Sequence, residues 1–448
     1  MKTNTKAHKI NQKIGFHNEF RIVVTEFETD KCEKIKKKWE AKAYNLVLTQ
    51  GLTKVAMHLE YYMSSSSFNS AHYARIGENT VDGAVPNSIS FGGYIHMGTG
   101  STTPDISDTA LDTFIMGRAA DMTDRDIDFT SLYAWYEQKM TILPAEYNGN
   151  TFAEIGLASG AAETSTNLST RALIEDSEGS PITIEKTATV QIDAYSKLYV
   201  VLDTVSYNNT DWVDGPADSF PGNALLKSFY ENDPWNDCQY GGSGGSAVQA
   251  EWHIYTGTND TAIDSDNDNA VETQLADSGD VIPARSGLVV TATHRFETAQ
   301  SNGKIKEFGM RMKTAPDGYS YLRSLFRAVL PITGVYAGTT FTDVEIGTGD
   351  DVEDEFTIGE TDQLSTFWTW NEINSGTLVV KVDGVTQTET TDYTYNDSTG
   401  VITFESGSIP PSGDAVTASW TVPYIAKSND YVLDFEISLT VAEGTVPT

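Results

Sequence analysis

Ile95-His96-Met97-Gly98-Thr99-Gly100 returns far down the chain as Ile254-Tyr255-Thr256-Gly257-Thr258-Asn259. The correspondence continues in order. Asp105 matches Asp264, Thr109-Ala110-Leu111-Asp112 matches Asn269-Ala270-Val271-Glu272, and Asn148-Gly149 matches Asn302-Gly303. Glu154-Ile155-Gly156-Leu157 then matches Glu307-Phe308-Gly309-Met310, and Arg171-Ala172-Leu173-Ile174 matches Arg327-Ala328-Val329-Leu330. Order is kept while spacing drifts by a few residues, which marks an internal repeat. Short β-prone runs between Thr-, Ser-, Asn-, Asp- and Gly-rich turns make each copy sandwich-like.

Beyond this point the copies diverge. Ile184-Glu185-Lys186 leads directly into the alternating Val190, Ile192 and Ala194, whereas its counterpart, Ile425-Ala426-Lys427, comes much later. The second copy is longer by about 85 residues, roughly one small β domain. That segment has strand patterns of its own at 378–382, 393–395, 401–404 and 416–422, and an Asp383-Gly384 hairpin turn.

The expected fold is therefore mainly β: two repeated β-sandwich-like domains, the second carrying an inserted small β domain, plus an N-terminal strand pair and one helix. The boundaries read 1–74 for the arm, strand pair and helix, 75–205 for repeat one, and 206–248 for a Gly/Ser-rich linker. Repeat two spans 249–346, the insertion 347–423, and the closing strand with its tail 424–448. The strand pair starts at Phe20. The helix rests on Leu48, Leu52, Val55, Leu59 and Tyr62 at three- and four-residue spacing. Asn148-Gly149 and Asn302-Gly303 read as tight hairpin turns. Gly156 and Gly309, inside strand patterns, read as bulges or close backbone crossings.

Composition narrows the function. Among 448 residues, 63 acids face 30 bases, a net charge of −33. A chain so acidic repels phosphate backbones, which argues against nucleic-acid binding. Nothing approaches the apolar run needed for membrane insertion, and no signal peptide is visible. Lys2, Lys6, Lys9, Lys13, Lys31, Lys34, Lys36, Lys37 and Lys38 crowd the first forty residues. They read as a solvated arm and charged hairpin turn, or as an arm docked on an acidic neighbour. Cys32 and Cys238, far apart, suggest neither a disulfide framework nor a zinc site.

Catalytic chemistry is sparse. The seven histidines lack metal-ligand spacing, and no phosphate loop or nucleophile elbow occurs, so the expectation is a non-enzyme with no cofactor. One metal candidate is Asp264, Asp266 and Asp268, whose alternating carboxylates suit Ca²⁺. Asn269 and Leu275 break the EF-hand pattern, which favours a solvated acidic turn. A second candidate is Phe367, Trp368 and Trp370, a stacking platform for sugars or a protein anchor. Alternation instead favours a core strand there, with Trp368 and Trp370 on one face.

The phrases Asn45-Leu46 to Gly51-Leu52, the Gly98-Thr99-Gly100 turn, Thr109-Ala110-Leu111, Glu154 to Leu157, Arg171 to Ile174 and Ile184-Glu185-Lys186 resemble, in that order, a module of tailed-bacteriophage structural proteins. The segment from Gly347-Thr348-Gly349-Asp350 through Val382-Asp383-Gly384-Val385 to Thr399-Gly400-Val401 resembles a small phage β module. The resemblance implies a virion component in the tail, baseplate, neck or fibre-attachment region. It implies partners among other virion proteins, homo-oligomerisation, synthesis in the host cytoplasm and no enzymatic activity. The alternatives are a host-recognition adhesin that binds a surface glycan, or a head decoration or head fibre protein.

Overall fold

The structure is a computed structural model that describes residues 4–64, 92–128, 131, 133–164, 167–203, 210–211, 251–258, 274–278, 281, 284–314, 321–330, 338–358, 372–427 and 431–445. It is mainly β. Strand β1 (Asn4–Phe27) turns back into β2 (Ile35–Tyr44), and β3 (Leu46–Val47) leads into helix α1 (Thr49–Ser64). Ile14, Phe16, Phe20, Ile22 and Val24 of β1 are all buried on one face, as alternation requires. α1 buries Leu52, Val55 and Ala56 along one stripe.

The rest of the first repeat comprises β4 (Tyr94–Gly98), β5 (Phe114–Ala119), β6 (Asp121–Asp128), β7 (Tyr133–Ile142) and β8 (Thr151–Phe152), then β9 (Glu154–Ala158), β10 (Thr170–Leu173), β11 (Ile184–Glu185) and β12 (Val190–Asp203). The second repeat begins with β13 (Thr210–Asp211), β14 (Glu251–Gly257), β15 (Gln274–Asp277) and β16 (Ala284–Ser286). It continues with β17 (Val289–Phe296), β18 (Gly303–Ile305), β19 (Glu307–Thr314) and β20 (Tyr321–Val329).

Each repeat builds a five-stranded sheet, in the order β3-β10-β9-β4-β5 in the first and β13-β20-β19-β14-β15 in the second. They agree residue for residue. Gly98 faces Glu154 and Met97 faces Ile155, while Gly257 faces Glu307 and Thr256 faces Phe308. A register shift falls between Met97 and Gly98, and another between Thr256 and Gly257. The Glu-apolar-Gly phrase thus marks the same strand position twice.

An insertion follows. Its strands are β21 (Thr339–Thr348), β22 (Glu355–Thr357), β23 (Val379–Val382), β24 (Val385–Thr386), β25 (Tyr393–Asn396), β26 (Val401–Phe404) and β27 (Ala415–Val422). They form the sheets β21-β27-β23-β24 and β22-β26-β25 around their own core of Phe356, Val380, Ile402, Phe404, Val416 and Trp420. Asp383 and Gly384, with φ of 45° and 78°, make the expected hairpin turn. The two ends meet: the Thr339 amide donates to the Tyr424 carbonyl at 3.1 Å, and the Ala426 amide donates to Thr339 Oγ1 at 3.1 Å.

The second repeat closes with β28 (Ile425–Lys427), paired with β18 as β11 is with β8, and with β29 (Tyr431–Glu443). The repeats share one large sheet, in the order β16-β17-β29-β1-β12-β7-β6, with β2 also on β1. β12 lies antiparallel along one edge of β1. Along the other edge, β29 runs parallel to residues 4–16 and β2 antiparallel to residues 19–27. Apolar residues from both repeats form one continuous core, with Ile22, Ile95, Ile155 and Ile192 joined to Ile254, Phe308, Phe435 and Leu439.

Several boundaries move. The N-terminal segment expected as a solvated or neighbour-docked arm is, from Asn4 on, a strand of the chain's own sheet. Its polar side chains gave no strand signal because its partner, β29, lies at the other end of the chain. The expected linker 206–248 includes β13, which pairs with β20, while Gly241 to Ser246 lie outside the described residues. The insertion starts at Thr339 instead of Gly347, because β21 is the partner of β27. Asn148-Gly149 and Asn302-Gly303 are not tight hairpin turns. β7 and β8 are not partners, and the positive φ values fall on Tyr147, Gly149, Ser301 and Gly303.

Because the insertion has a separate core and touching ends, replacing residues 340–423 by a short Gly/Ser linker should leave the main body folded. Circular dichroism should still report a cooperative β-type melt within a few degrees of the full chain. An aggregated product would show that the two cores depend on each other.

Candidate interaction surfaces

The phrases that define the repeat are interior. Glu154 is fully buried, yet its carboxylate has a full set of partners. It accepts from the amides of Gly100 (2.9 Å), Asp112 (3.0 Å) and Thr113 (2.8 Å), and from Arg171 Nε at 3.0 Å. Arg171 reaches on to Asp108 at 2.5 Å and to the Thr102 carbonyl and hydroxyl. This pair ties down the loop between β4 and β5. It also explains the glycines, since a Cβ at Gly98 or Gly100 would lie 2.6 or 2.3 Å from Glu154 Oε1. At Gly156 a Cβ would lie 2.5 Å from the Thr170 carbonyl, which makes that glycine a close crossing. Glu307 occupies the matching place in the second repeat and is equally buried.

The closing Ile-x-Lys phrase conceals a buried cation. Lys186 Nζ donates to the carbonyls of Pro144 (2.9 Å) and Thr187 (2.9 Å) and to Asn148 Oδ1 (3.1 Å). Lys427 Nζ donates to the carbonyls of Glu297 (3.3 Å) and Thr298 (3.3 Å) and to Asn302 Oδ1 (3.2 Å). The Asn of each Asn-Gly pair thus serves as a side-chain acceptor for the lysine of the Ile-x-Lys phrase. Burial lowers the Lys186 pKa. A third lysine, Lys54 on α1, has neutral oxygens as its partners among the described residues. Its Nζ donates to the Asn167 carbonyl (2.7 Å), Ser169 Oγ (3.2 Å) and Ser159 Oγ (3.4 Å). Burial pulls its pKa down to about 7.

The outer faces differ between the repeats. On the first repeat, cross-strand rows alternate aromatic rings with charges: Trp135, Tyr199 and His17; Glu137, Lys197, Glu19 and Tyr44; Lys139, Tyr195, Arg21 and Lys42. Lys197 Nζ lies 3.5 Å from the Trp135 ring centroid, and Arg21 Cζ lies 3.9 Å from that of Tyr195. Such cation–aromatic contacts fix long side chains in place. Burial opposes the Asp193 carboxylate, but hydrogen bonds from Thr141, Lys139 and Gln191 prevail and keep its pKa below the ordinary value. Burial, with Glu19, Tyr133 and Glu137 nearby, pushes the Tyr199 phenol up to about 12. The corresponding face of the second repeat carries Thr291, Thr293, Arg295, Asp434, Glu436, Ser438 and Thr440, with no ring among them. There Arg295 pairs with Asp434 at 2.7 and 2.8 Å.

The aromatic lattice was missed in the sequence, although the alternation Tyr133, Trp135, Glu137, Lys139 was its visible trace. The proposed Ca²⁺ ligands Asp264, Asp266 and Asp268 lie outside the described residues, as do Phe367, Trp368 and Trp370. Comparison with family models, curated proteins and solved structures finds no match for this chain.

Two outcomes test the interior. Glu154→Ala leaves the Gly100, Asp112 and Thr113 amides without their acceptor and Arg171 with Asp108 as its one carboxylate, and should cost about 3–5 kcal/mol in urea unfolding; Glu19→Ala, on the outer face, should cost under about 1 kcal/mol. Lys54 gives a pH signature. Its folded pKa lies below its unfolded value of 10.5, so between about 7 and 10.5 the unfolded chain binds the extra proton. The penalty for burying the charged amine is complete below about 7 and fades as pH rises to 10.5. Lys54→Met should flatten that rise in unfolding free energy, and an unchanged slope would contradict the assignment.

Proposed function

We propose that this chain is a structural component of a tailed-phage virion, acting by protein–protein assembly in the tail, baseplate, neck or fibre-attachment region. The observation that carries the reading is the contrast between its repeats: one interior used twice under two different outer faces. A duplicated scaffold lets one chain meet two different neighbours while folding both halves by the same rules. The residues behind the phage-module resemblance support it indirectly. Glu154, Arg171, Lys186 and the glycines around them are spent on holding the scaffold, leaving partner choice to the surfaces. The first repeat's ordered Trp, Tyr and Arg side chains are the types enriched at protein interfaces.

The decisive measurement is mass spectrometry of purified particles with stoichiometry. A virion component should appear at a fixed whole-number ratio to the other particle proteins. Its absence from purified particles, with the chain abundant in the infected-cell lysate, would sink the reading.

A further inference from the structure

We propose that copies of this chain associate head to tail through two sheet edges, the basic edge β2 of one copy meeting the acidic edge β6 of the next. The inference deepens the assembly reading by naming a contact, and its test stands apart from particle composition.

The first-repeat half of the large sheet runs β2-β1-β12-β7-β6, so β2 and β6 are its two limits among the described residues. Unpaired edges offer backbone donors and acceptors to any passing strand, and proteins guard them with charge. Here the guards have opposite signs. β2 carries exposed Lys36, Lys37 and Lys38, of which Lys36 meets Glu26 of β1 at 2.6 Å, an exposed pair that an arriving carboxylate can exchange with. Its far end is already closed, since the Lys42 amide donates to the Glu175 carbonyl at 3.0 Å and the Glu175 amide to the Lys42 carbonyl at 2.7 Å. By the two-residue period of a strand, the backbone groups of Lys38 and Glu40 face the same way as those of Lys42, and the period breaks at Lys36, where the pairing with β1 shifts register. Beyond the Glu175 contact they form the open part of that edge.

β6 carries exposed Asp121, Asp124 and Asp126. Two of these carboxylates fold back on their own strand: Asp124 Oδ1 accepts from the Arg125 amide at 2.9 Å, and Asp126 Oδ1 from the Ile127 amide at 2.8 Å. The lone chain therefore caps its acidic edge. An arriving ammonium on a matching strand competes for those carboxylates and frees the amides to pair. A neutral or acidic strand offers no such exchange, so the edge discriminates among partners.

Direction is set as well. Each neighbouring pair from β2 through β1, β12 and β7 to β6 is antiparallel, so β2 and β6 point the same way. A rotation about an axis along the strands then brings β6 of one copy beside β2 of the next in parallel. The contact is heterologous and closes into a ring when the rotation divides the full circle.

The test is sedimentation velocity on the full chain over a range of concentration and salt. The native sequence should form higher-order species at about 0.1 M salt, where the mutual repulsion of chains of net charge −33 is screened, and these should weaken as salt rises further. Lys36→Glu with Lys38→Glu, or Asp124→Lys with Asp126→Lys, should each raise the apparent dissociation constant at least about tenfold. Mixing these two variants, or combining all four changes in one chain, should restore association, because each arrangement re-pairs opposite charges. The restored species also guards against misfolding as the cause of the loss. A native chain that stays monomeric throughout, or single-edge variants that associate as the native chain does, would overturn the proposal.

Discussion

The pairing of β1 with strands from both repeats is the constraint on which the rest of the structure depends. Its central residues bond β12 on one side, while the other side is divided end to end between β29 and β2. Without β1, the last strand of each repeat would present an open edge and each repeat would bury a separate, smaller core. With β1 in place, Phe16 and Ile22 share a core with Phe435 and Leu439. The cost is kinetic, since Ile10 meets Ile437 only after nearly the whole chain is available, and long loops must close before the contact stabilises anything.

Within each repeat, buried charge sets the register. A Glu–Arg pair in the interior contributes little net stability relative to an apolar pair of equal volume, because both ions are stripped of water. Its effect is geometric. Only one arrangement of the loop after β4 brings the Gly100, Asp112 and Thr113 amides onto one carboxylate. Lys186 and Lys427 act similarly, each drawing two carbonyls and an Asn side chain to one ammonium. Any other packing leaves a buried cation without acceptors, so alternatives are penalised by several hydrogen bonds at once.

The outer surfaces are free of that constraint, and there the copies part. One face became a lattice of rings and cations, while the other kept threonines and ion pairs. The insertion follows the same logic, entering where two ends already meet at Thr339 and Tyr424, so the scaffold carries it without opening its core.

Much of this was legible in the residues alone. Order and spacing of short phrases revealed the duplication, strand alternation revealed the β class, and the 3.6-residue period placed α1. Those signals are local, arising from backbone geometry that repeats within a few residues. The candidate interaction surfaces were less legible: the alternation that places Trp135 and Lys139 on one face went unread, and no alternation carries the information that Lys197 and Arg21 lie over the rings beside them. Nor could it assign Asn4 to Gln12 to a strand, since the partner that orders them begins at Tyr431. Register between distant strands depends on where loops bring them and on which buried charges find partners. Those are properties of the folded chain, and only the tertiary structure decided them.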